Sequence, residues 1–393
     1  MRTAVIVDAL RTPSGRGKPG GALSSQHPVE LMARVLRALV ERNDLDPALV
    51  DDVILGCLAQ VDQQAVNPAR NAALAAGFPV TVPGVTIDRQ CGSSLQAVAF
   101  AAQGVVAGAY DVVVAGGVEL MSTHPIGSAA RGADPFGPSI RERFDGGLVH
   151  QGISAELICA RWGLSREEVD AFAERSHRLA AAATEAGAFE RELLPVPLAD
   201  GRVLDRDETV RPSTTAASLA ALSPAFVDDE VARRFPEIDW KITAGNSSPL
   251  TDGASAVLVM AEERAEQLGL VPRARVVAGA VVGSDPIEML TGVVPATRKV
   301  LDRAGLSIGD VDAYEVNEAF APVPLVWQRE MGADPERLNP RGGAIALGHA
   351  LGSTGTRLLG TLLGQLEATG GRYGLEAVCE GQGMANALVV ERL

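Results

Sequence analysis

Short apolar runs alternate with stretches of helical periodicity along the first 120 residues. Apolar residues recur every three or four positions in PVELMARVLRALVERNDL (28–45), which predicts a helix. Runs as apolar as VVVAGG (112–117) are typical of strands buried on both faces of a mostly parallel sheet. The pattern therefore indicates an α/β protein. Strands are predicted at 3–9, 51–57, 82–87 and 110–119, and further helices at 71–78 and 93–106.

The same alternation returns in residues 271–393. The second half resembles the first in its order of elements, although not in its letters, so we expect a duplicated α/β domain. Its predicted elements are a strand at 273–283, a helix at 295–306, a strand running into a loop at 310–320, a helix at 354–370, and two strands joined by a turn at 374–393.

Residues 121–250 differ from both halves, because they are rich in Pro, Gly and charged residues. One charged helix is predicted there, at 165–189. We expect an N-terminal half at 1–120, an inserted segment at 121–250 after which the first half continues to about 270, and a C-terminal half at 271–393. Long excursions from compact α/β domains usually carry binding function, although a plain spacer is the alternative.

The net charge is -14 over 393 residues, and such an acidic chain lacks the excess of Lys and Arg that a nucleic-acid-binding surface needs. A phosphorylated small molecule held by a few local Arg residues is still compatible with this charge. Residues 95–118 form the most apolar long stretch, but polar residues and glycines interrupt it too often for a membrane span. Four cysteines do not make a disulfide framework. We therefore expect a cytoplasmic protein without membrane or nucleic-acid partners.

Cys91 lies between a predicted strand and a predicted helix, in DRQCGSSLQAV (88–98). A cysteine in the first turn of a helix is close to unpaired N–H groups and to the positive end of the helix dipole, which favour the thiolate and lower its pKa. Free cysteine is more often a packed core residue. This stretch alone leaves the nucleophile and the core residue equally supported.

Two further glycine-rich turns hold reactive side chains. His349 lies in NPRGGAIALGHALGSTGT (339–356), which fits neither a Walker A loop nor a dinucleotide-binding loop. Cys379 ends an apolar strand in AVCEGQGMANA (377–387). Two cysteines and one histidine on such turns suggest a nucleophile, a base and a second proton carrier. A zinc site is the weaker alternative, since no C-x-x-C or H-x-x-x-H pair is present.

Asn317 and Glu318 follow a predicted strand end, where open α/β sheets place their sites. An Asn at that position could hold a water or donate to an oxyanion, or it could simply cap a helix. Cys57 and Cys159 have no comparable surroundings, and we expect them to be packing residues.

Together these segments resemble the thiolase family of 3-ketoacyl-CoA thiolases and acetyl-CoA acetyltransferases. The resemblance runs along essentially the whole chain and follows the family's order. The matching motifs are RTPSGRGKPGGALS (11–24), DRQCGSS (88–94), AGGVELMS (115–122), VRPSTTAASLAALSPAF (210–226), TAGNSSPLTDGAS (243–255), VNEAFA (316–321), NPRGGAIALGHALGSTG (339–355) and CEGQGMANA (379–387). The CEG and AN elements look most like actinobacterial thiolases that degrade lipids or sterol side chains.

The resemblance implies a fold and an assembly. Two βαβαβαββ halves would pack into a layered αβαβα body, and a loop domain inserted in the first half would cover the active site. The family's members are homodimers or homotetramers whose dimer joins sheets across a two-fold axis.

The resemblance also implies catalytic roles. Cys91 matches the acylated nucleophile, His349 the base that activates it, and Cys379 the acid/base that protonates the departing acetyl-CoA carbanion. Asn317 matches the residue whose bound water forms one oxyanion hole with His349. The N–H groups of Cys91 and Gly381 would form the other.

Coenzyme A would be a co-substrate rather than a permanently bound cofactor, and no metal is implied. Arg211 and Ser218 match positions near the nucleotide end of coenzyme A, and Ala244 and Ser248 match positions that contact pantetheine. The residues expected to line the acyl or pantetheine channel are His150, Phe226, Met289 and Phe320.

The chain departs from the family pattern at several positions. Ala350 replaces the usual proline after His349, Leu290 replaces a small residue, and Glu380 and Gln382 flank Gly381. We expect a thiolase that cleaves 3-ketoacyl-CoA with CoA to acetyl-CoA and a shortened acyl-CoA. The alternatives are a biosynthetic acetyl-CoA acetyltransferase that makes acetoacetyl-CoA and, less favoured, a CoA-binding partner subunit without turnover.

Overall fold

A computed structural model describes residues 2–393 of the chain, in a mixed α/β architecture. The strands are Ala4–Arg11 (β1), Gly15–Arg16 (β2), Asp52–Gly56 (β3), Gly84–Ile87 (β4), Val112–Leu120 (β5), Val196–Pro197 (β6), Val203–Leu204 (β7), Thr251–Ala261 (β8), Ala274–Gly283 (β9), Ala313–Val316 (β10), Tyr373–Glu380 (β11) and Met384–Arg392 (β12). The helices are Pro28–Arg42 (α1), Pro68–Ala75 (α2), Ser93–Ala107 (α3), Gly137–Arg143 (α4), Gln151–Trp162 (α5), Arg166–Glu185 (α6), Ala216–Ala220 (α7), Asp229–Arg234 (α8), Glu262–Gln267 (α9), Val293–Ala304 (α10), Pro322–Met331 (α11), Ala344–Leu347 (α12) and Thr354–Thr369 (α13).

The main strands form two half-sheets of the same design. The first has the order β4-β3-β5-β8-β1, in which β3 is parallel to β4 and β5, and β8 is antiparallel to β5 and β1. The second has the order β10-β11-β12-β9, in which β10 and β11 are parallel and the other pairs are antiparallel, so parallel strands again lie at the far edge and antiparallel strands at the centre. The half-sheets join where β1 meets β9, at Val5–Arg275 and Ile6–Ala274. The predicted duplication is therefore confirmed.

Alternate residues of each strand face different layers, as the two-residue period of a strand requires. On β5, Val112 and Val114 face α1 and α2, whereas Val113 and Ala115 face a central cluster built from α3 and α13. The second half-sheet repeats this arrangement, with α10 and α11 on its outer face and α3 and α13 on its inner face. The order helix, sheet, helix, sheet, helix confirms the layered αβαβα body.

The two central helices, α3 and α13, occupy equivalent places in the two halves and contact each other. Thr356 N donates to Ser94 Oγ at 3.1 Å, which ties the first turns of the helices together. Gly355 makes this approach possible, because a Cβ there would lie 2.3 Å from Leu95 N. Segments about 260 residues apart therefore bring their N-terminal turns to one point.

Between β5 and β8 the chain leaves the large sheet for the segment that holds α4 to α8 and the small β6–β7 hairpin. Helix α6 begins at a capping box in which Ser165 and Glu168 each bind the other's backbone N–H. Residues of α5 and α6 pack in the same cluster as α10 and α11. The segment therefore lies against the second half as well as the first.

Most predicted elements are present, with small shifts in their bounds. The second helix begins at Pro68 rather than 71, because Asn67 caps it with a side chain that accepts from Arg70 N. Helix α11 was not predicted; two prolines in its first turn conceal its periodicity. Within residues 2–393, every helix is too short or too polar to cross a bilayer.

Candidate active site

The predicted catalytic residues follow the ends of strands or precede the two central helices. Asn317 directly follows β10, Cys379 lies at the end of β11, and Gly381 comes just after it. Cys91 precedes α3, and His349 precedes α13. Because the N-terminal turns of α3 and α13 meet beside these strand ends, residues from four distant segments share one buried site.

Hydrogen bonds fix the orientation of the His349 ring. Asn317 Nδ2 lies 3.4 Å from His349 Nε2, and Thr354 Oγ1 lies 2.6 Å from His349 Nδ1. Thr354 uses its only proton to donate to Ala350 O at 2.9 Å, so it accepts from His349 Nδ1–H. The proton of a neutral ring is therefore on Nδ1, and Nε2 carries the lone pair that a base needs.

Burial, followed by the charge of Arg357, lowers the pKa of His349 to about 3. The ring is therefore neutral at physiological pH and able to accept a proton.

The sequence-based expectation of a lowered Cys91 pKa is wrong. Burial, followed by the carboxylate charge of Glu380, raises the pKa of Cys91 to about 12. The backbone N–H groups of Cys91 and Gly381 act in the opposite direction, as does the side chain of Gln151. Cys91 also lies ahead of Gly92, the cap of α3, rather than in the first helical turn. Desolvation outweighs the helix dipole here, so the resting thiol is protonated.

Cys379 is the second buried thiol of the site. Burial and the neighbouring Cys91 raise its pKa well above its usual range, whereas Asn317 lowers it. The same Asn317 side chain thus links His349 to Cys379, and Cys379 is next to Cys91. Two protonated thiols and one neutral imidazole can together move protons to and from a substrate without any stable charge.

The geometry agrees with the comparisons to known proteins. Family models described as "Thiolase, N-terminal domain" and "Thiolase, C-terminal domain" match residues 4–263 and 270–392. The chain belongs to the thiolase family. It is 47% identical over 403 residues to the steroid 3-ketoacyl-CoA thiolase FadA6 of Mycobacterium tuberculosis, covering 100% of this chain and 95% of that protein. It is 44% identical over 400 residues to a 3-ketoacyl-CoA thiolase of Vibrio cholerae, covering 100% of both chains.

Buried glutamates hold the loops of this thiolase in place. Glu119 accepts hydrogen bonds from the N–H groups of Leu58, Ala59 and Gly352, of which Gly352 belongs to the turn after His349. Glu318 accepts from Ser176 Oγ, Asn339 Nδ2 and Ile345 N. Glu318 is therefore a structural residue that anchors the segment leading to His349.

Three of the predicted CoA residues line one cavity of about 380 Å³. Arg211, Ser218 and Ala244 border it together with Ile345, which leads toward His349. A second cavity of about 350 Å³ shares Arg211 and adds Arg16 and Lys18. Ser248 does not border either cavity; its N–H donates to Ala319 O at 3.0 Å.

The predicted channel residues form one apolar group near the site. The rings of His150 and Phe226 have centroids 5.2 Å apart, and those of Phe226 and Phe320 are 6.0 Å apart in an edge-to-face arrangement. Met289 and Phe320 are buried in the same cluster, against which Phe226 packs. Leu290 is buried there too, so the larger side chain is accommodated inside the protein.

Two polar residues of the site escaped the sequence analysis. They are Gln151, at the start of α5, and Gln90, which precedes Cys91. Both side chains lie close to Gly381: a Cβ atom placed on that glycine would be 3.4 Å from Gln151 Nε2 and 2.8 Å from Gln90 Oε1. Thr354, which orients His349, is a third such residue and lies within the motif at 339–355. The sequence does contain a signal for this role, because Thr354 carries a hydroxyl group five residues after His349, at the start of a predicted helix.

Proposed function

We propose that this protein is a degradative thiolase that cleaves 3-ketoacyl-CoA with CoA to acetyl-CoA and an acyl-CoA shortened by two carbons. The observation that carries the proposal is one buried site with two protonated thiols, a neutral histidine whose Nε2 carries no proton, and N–H groups that face the Cys91 sulfur. The names of the related thiolases support the same reaction.

In the first half-reaction, His349 Nε2 accepts the Cys91 proton and the Cys91 sulfur attacks the C3 ketone. The C2–C3 bond then breaks, its electron pair forms the enolate of acetyl-CoA, and Cys379 donates a proton to C2. Acetyl-CoA leaves, and the rest of the substrate stays on Cys91 as a thioester.

In the second half-reaction, the sulfur of CoA attacks this thioester while its proton passes to the Cys379 thiolate. The Cys91 thiolate leaves and recovers its proton from His349. The shortened acyl-CoA departs with every group in its starting state. A thiol is a fitting nucleophile for this exchange, because a thioester transfers its acyl group readily to another thiol.

Two groups of donors suit the oxyanions of these steps. The N–H groups of Cys91 and Gly381 face the Cys91 sulfur and would stabilise one oxyanion. Asn317 Nδ2 beside His349 Nε2 would hold a water for the other. Each donor aimed at developing charge contributes about 3 kcal/mol to such reactions.

Coenzyme A is proposed to occupy the cavity bordered by Arg211, Ser218 and Ala244, with Arg16 and Lys18 close to its phosphates. Ser248 is proposed to contact pantetheine near the site. The apolar group of His150, Phe226, Met289 and Phe320 would surround the acyl chain. We further propose that residues 121–250 act as the inserted domain that holds CoA, since Arg211, Ser218 and Ala244 all belong to it.

A homodimer is proposed through β4, the strand at the edge of the first half-sheet. Three valines on or near this edge are exposed: Val66 by 86%, Val80 by 79% and Val85 by 41%. An unpaired strand edge with exposed apolar residues is suited to pairing with a second copy. Val85→Lys is expected to yield monomers in light scattering; an unchanged mass would contradict this interface.

A cytoplasmic location is proposed as well. It is supported by four free, buried cysteines and by bacterial relatives.

The test measures CoA-dependent loss of 3-ketoacyl-CoA, comparing acetoacetyl-CoA with a long linear and a steroid-derived substrate. Cys91→Ala should abolish turnover while CoA binding, measured by calorimetry, persists. Preference for the longer substrates supports degradation, whereas preference for acetoacetyl-CoA supports the acetyltransferase alternative. Intact mass should show acetylation of the wild type by acetyl-CoA, and its absence together with no cleavage would leave only a CoA-binding protein.

A further inference from the structure

Glu380 is a buried carboxyl group beside the site that the proposed mechanism does not use. Glu380 is the last residue of β11. Side chains of a strand alternate between its two faces: Cys379 packs in the outer layer and Val378 in the layer of the central helices. Glu380 therefore faces the central helices, like Val378. Neither of its oxygens has a hydrogen-bond partner within residues 2–393. A buried carboxylate without donors is costly, so this side chain needs a specific explanation.

Glu380 lies directly beneath Gly92, the residue that caps α3 and follows Cys91. A Cβ atom on Gly92 would lie 2.7 Å from Asn386 Oδ1 and closer still to Glu380 Oε1, so the two oxygens share one small space. Asn386 Nδ2 donates to Gly92 O at 2.9 Å. Asn386 Oδ1, like the Glu380 oxygens, has no donor among the described residues. One proton on Glu380 would let the carboxyl group donate to Asn386 Oδ1 and pair both groups.

The charges around Glu380 agree with a protonated group. Burial raises the pKa of Glu380 to about 8, while Arg89 lowers it and Asp88 raises it. The other titratable groups that sense it are the thiols of Cys91 and Cys379, and its negative charge raises the pKa of both. An ionised Glu380 would also compete with the Cys91 thiolate for the positive end of α3.

We propose that Glu380 is a positioning residue for the nucleophile. As a carboxylic acid it donates to Asn386 and holds the turn that carries Cys91, and as a carboxylate it opposes the Cys91 thiolate. This inference rests on Cys91 being the nucleophile of the proposed function. If Glu380 has this role, the reactivity of Cys91 depends on the ionisation of the Glu380 carboxyl group just above neutral pH as well as on its own.

The experiment follows iodoacetamide alkylation of Cys91 from pH 6 to 10, read by peptide mass spectrometry on the full-length protein without substrate. Glu380→Gln keeps the shape of the acid and cannot ionise. Its Cys91 should titrate at a lower pH than in the wild type, with alkylation about threefold to tenfold faster at pH 9. The matched control is Glu376→Gln, because Glu376 is buried on the same face of β11 but does not affect the thiol of Cys91.

The proposal is overturned if the Glu380→Gln profile coincides with the wild-type profile, or if Glu376→Gln shifts it equally. Should Glu380→Gln fail to fold, Glu380→Ala serves, since it also removes the charge; an unshifted profile there is equally decisive. Wild-type thiolysis is measured in parallel. Its absence would contradict the proposed function, whereas normal thiolysis with an unshifted profile would contradict only the role of Glu380.

Discussion

Thr354→Val tests whether one hydroxyl group keeps His349 in its basic form. Thr354 is buried, accepts from His349 Nδ1–H at 2.6 Å and donates to Ala350 O at 2.9 Å. Valine has nearly the same shape but neither accepts nor donates. The substitution therefore leaves the Nδ1–H without an acceptor and removes the reason for the proton to stay on Nδ1.

The magnitude follows from the cost of an unpaired buried donor, which is about 1–3 kcal/mol. That penalty falls on the Nδ1–H form of His349 and favours the form with the proton on Nε2, which cannot accept a proton from Cys91. Since about 1.4 kcal/mol corresponds to a factor of ten, kcat for thiolysis should fall by a factor between about 5 and 150. The KM for CoA should change little, because Thr354 does not border the cavity proposed for CoA.

The assay is steady-state thiolysis well below the unfolding temperature, and two control variants of the same helix are measured with it. Thr354→Ser restores the hydroxyl and should restore kcat. Thr356→Val removes an equally buried hydroxyl that pairs with Ser255 Oγ at 2.6 Å, away from His349. It should lower stability without lowering kcat. Wild-type kcat in Thr354→Val, or an equal fall in Thr356→Val, would refute the tautomer argument.

Three other outcomes are expected. Ala350→Pro should raise the free energy of unfolding in urea by about 0.4–1 kcal/mol, because Ala350 has φ -72° and its N–H makes no hydrogen bond of normal geometry. A lower free energy of unfolding would show that the backbone of this turn is incompatible with proline. Arg211→Ala should raise the KM for CoA at least about tenfold at constant kcat, since a charge-assisted contact is worth about 1.5–3 kcal/mol. Arg206→Ala, which removes an exposed arginine, should leave this KM unchanged; equal effects of the two substitutions would exclude a specific contact with Arg211. Glu380→Gln should be more stable than wild type by about 4 kcal/mol at pH 8, and no more stable at pH 4. The folded pKa of Glu380 is about 8 against an ordinary 4.5, so the wild type loses stability as pH rises between those values; a stability difference independent of pH would contradict the buried acid.

The sequence by itself determined the α/β fold class and, through the family resemblance, its layering and most of the proposed catalytic set. Apolar runs such as 112–117 became strands buried on both faces, because only an internal strand can hide such a run. Cys91, His349 and Cys379 were distinguishable because each lies on a glycine-rich turn next to a predicted strand or helix. These signals are local: they depend on residue type and on spacing along a few turns of chain.

Only the tertiary structure decided how those residues behave. The local argument predicted a lowered pKa for Cys91, yet burial among distant segments raises it, since desolvation depends on what packs around a group rather than on its neighbours in sequence. The acceptor that orients His349, and the carboxyl group of Glu380 beneath Gly92, likewise acquire their roles from contacts between separate elements. Such contacts form when α3 and α13, about 260 residues apart in the chain, pack against each other. A local sequence pattern does not predict which distant segments will meet.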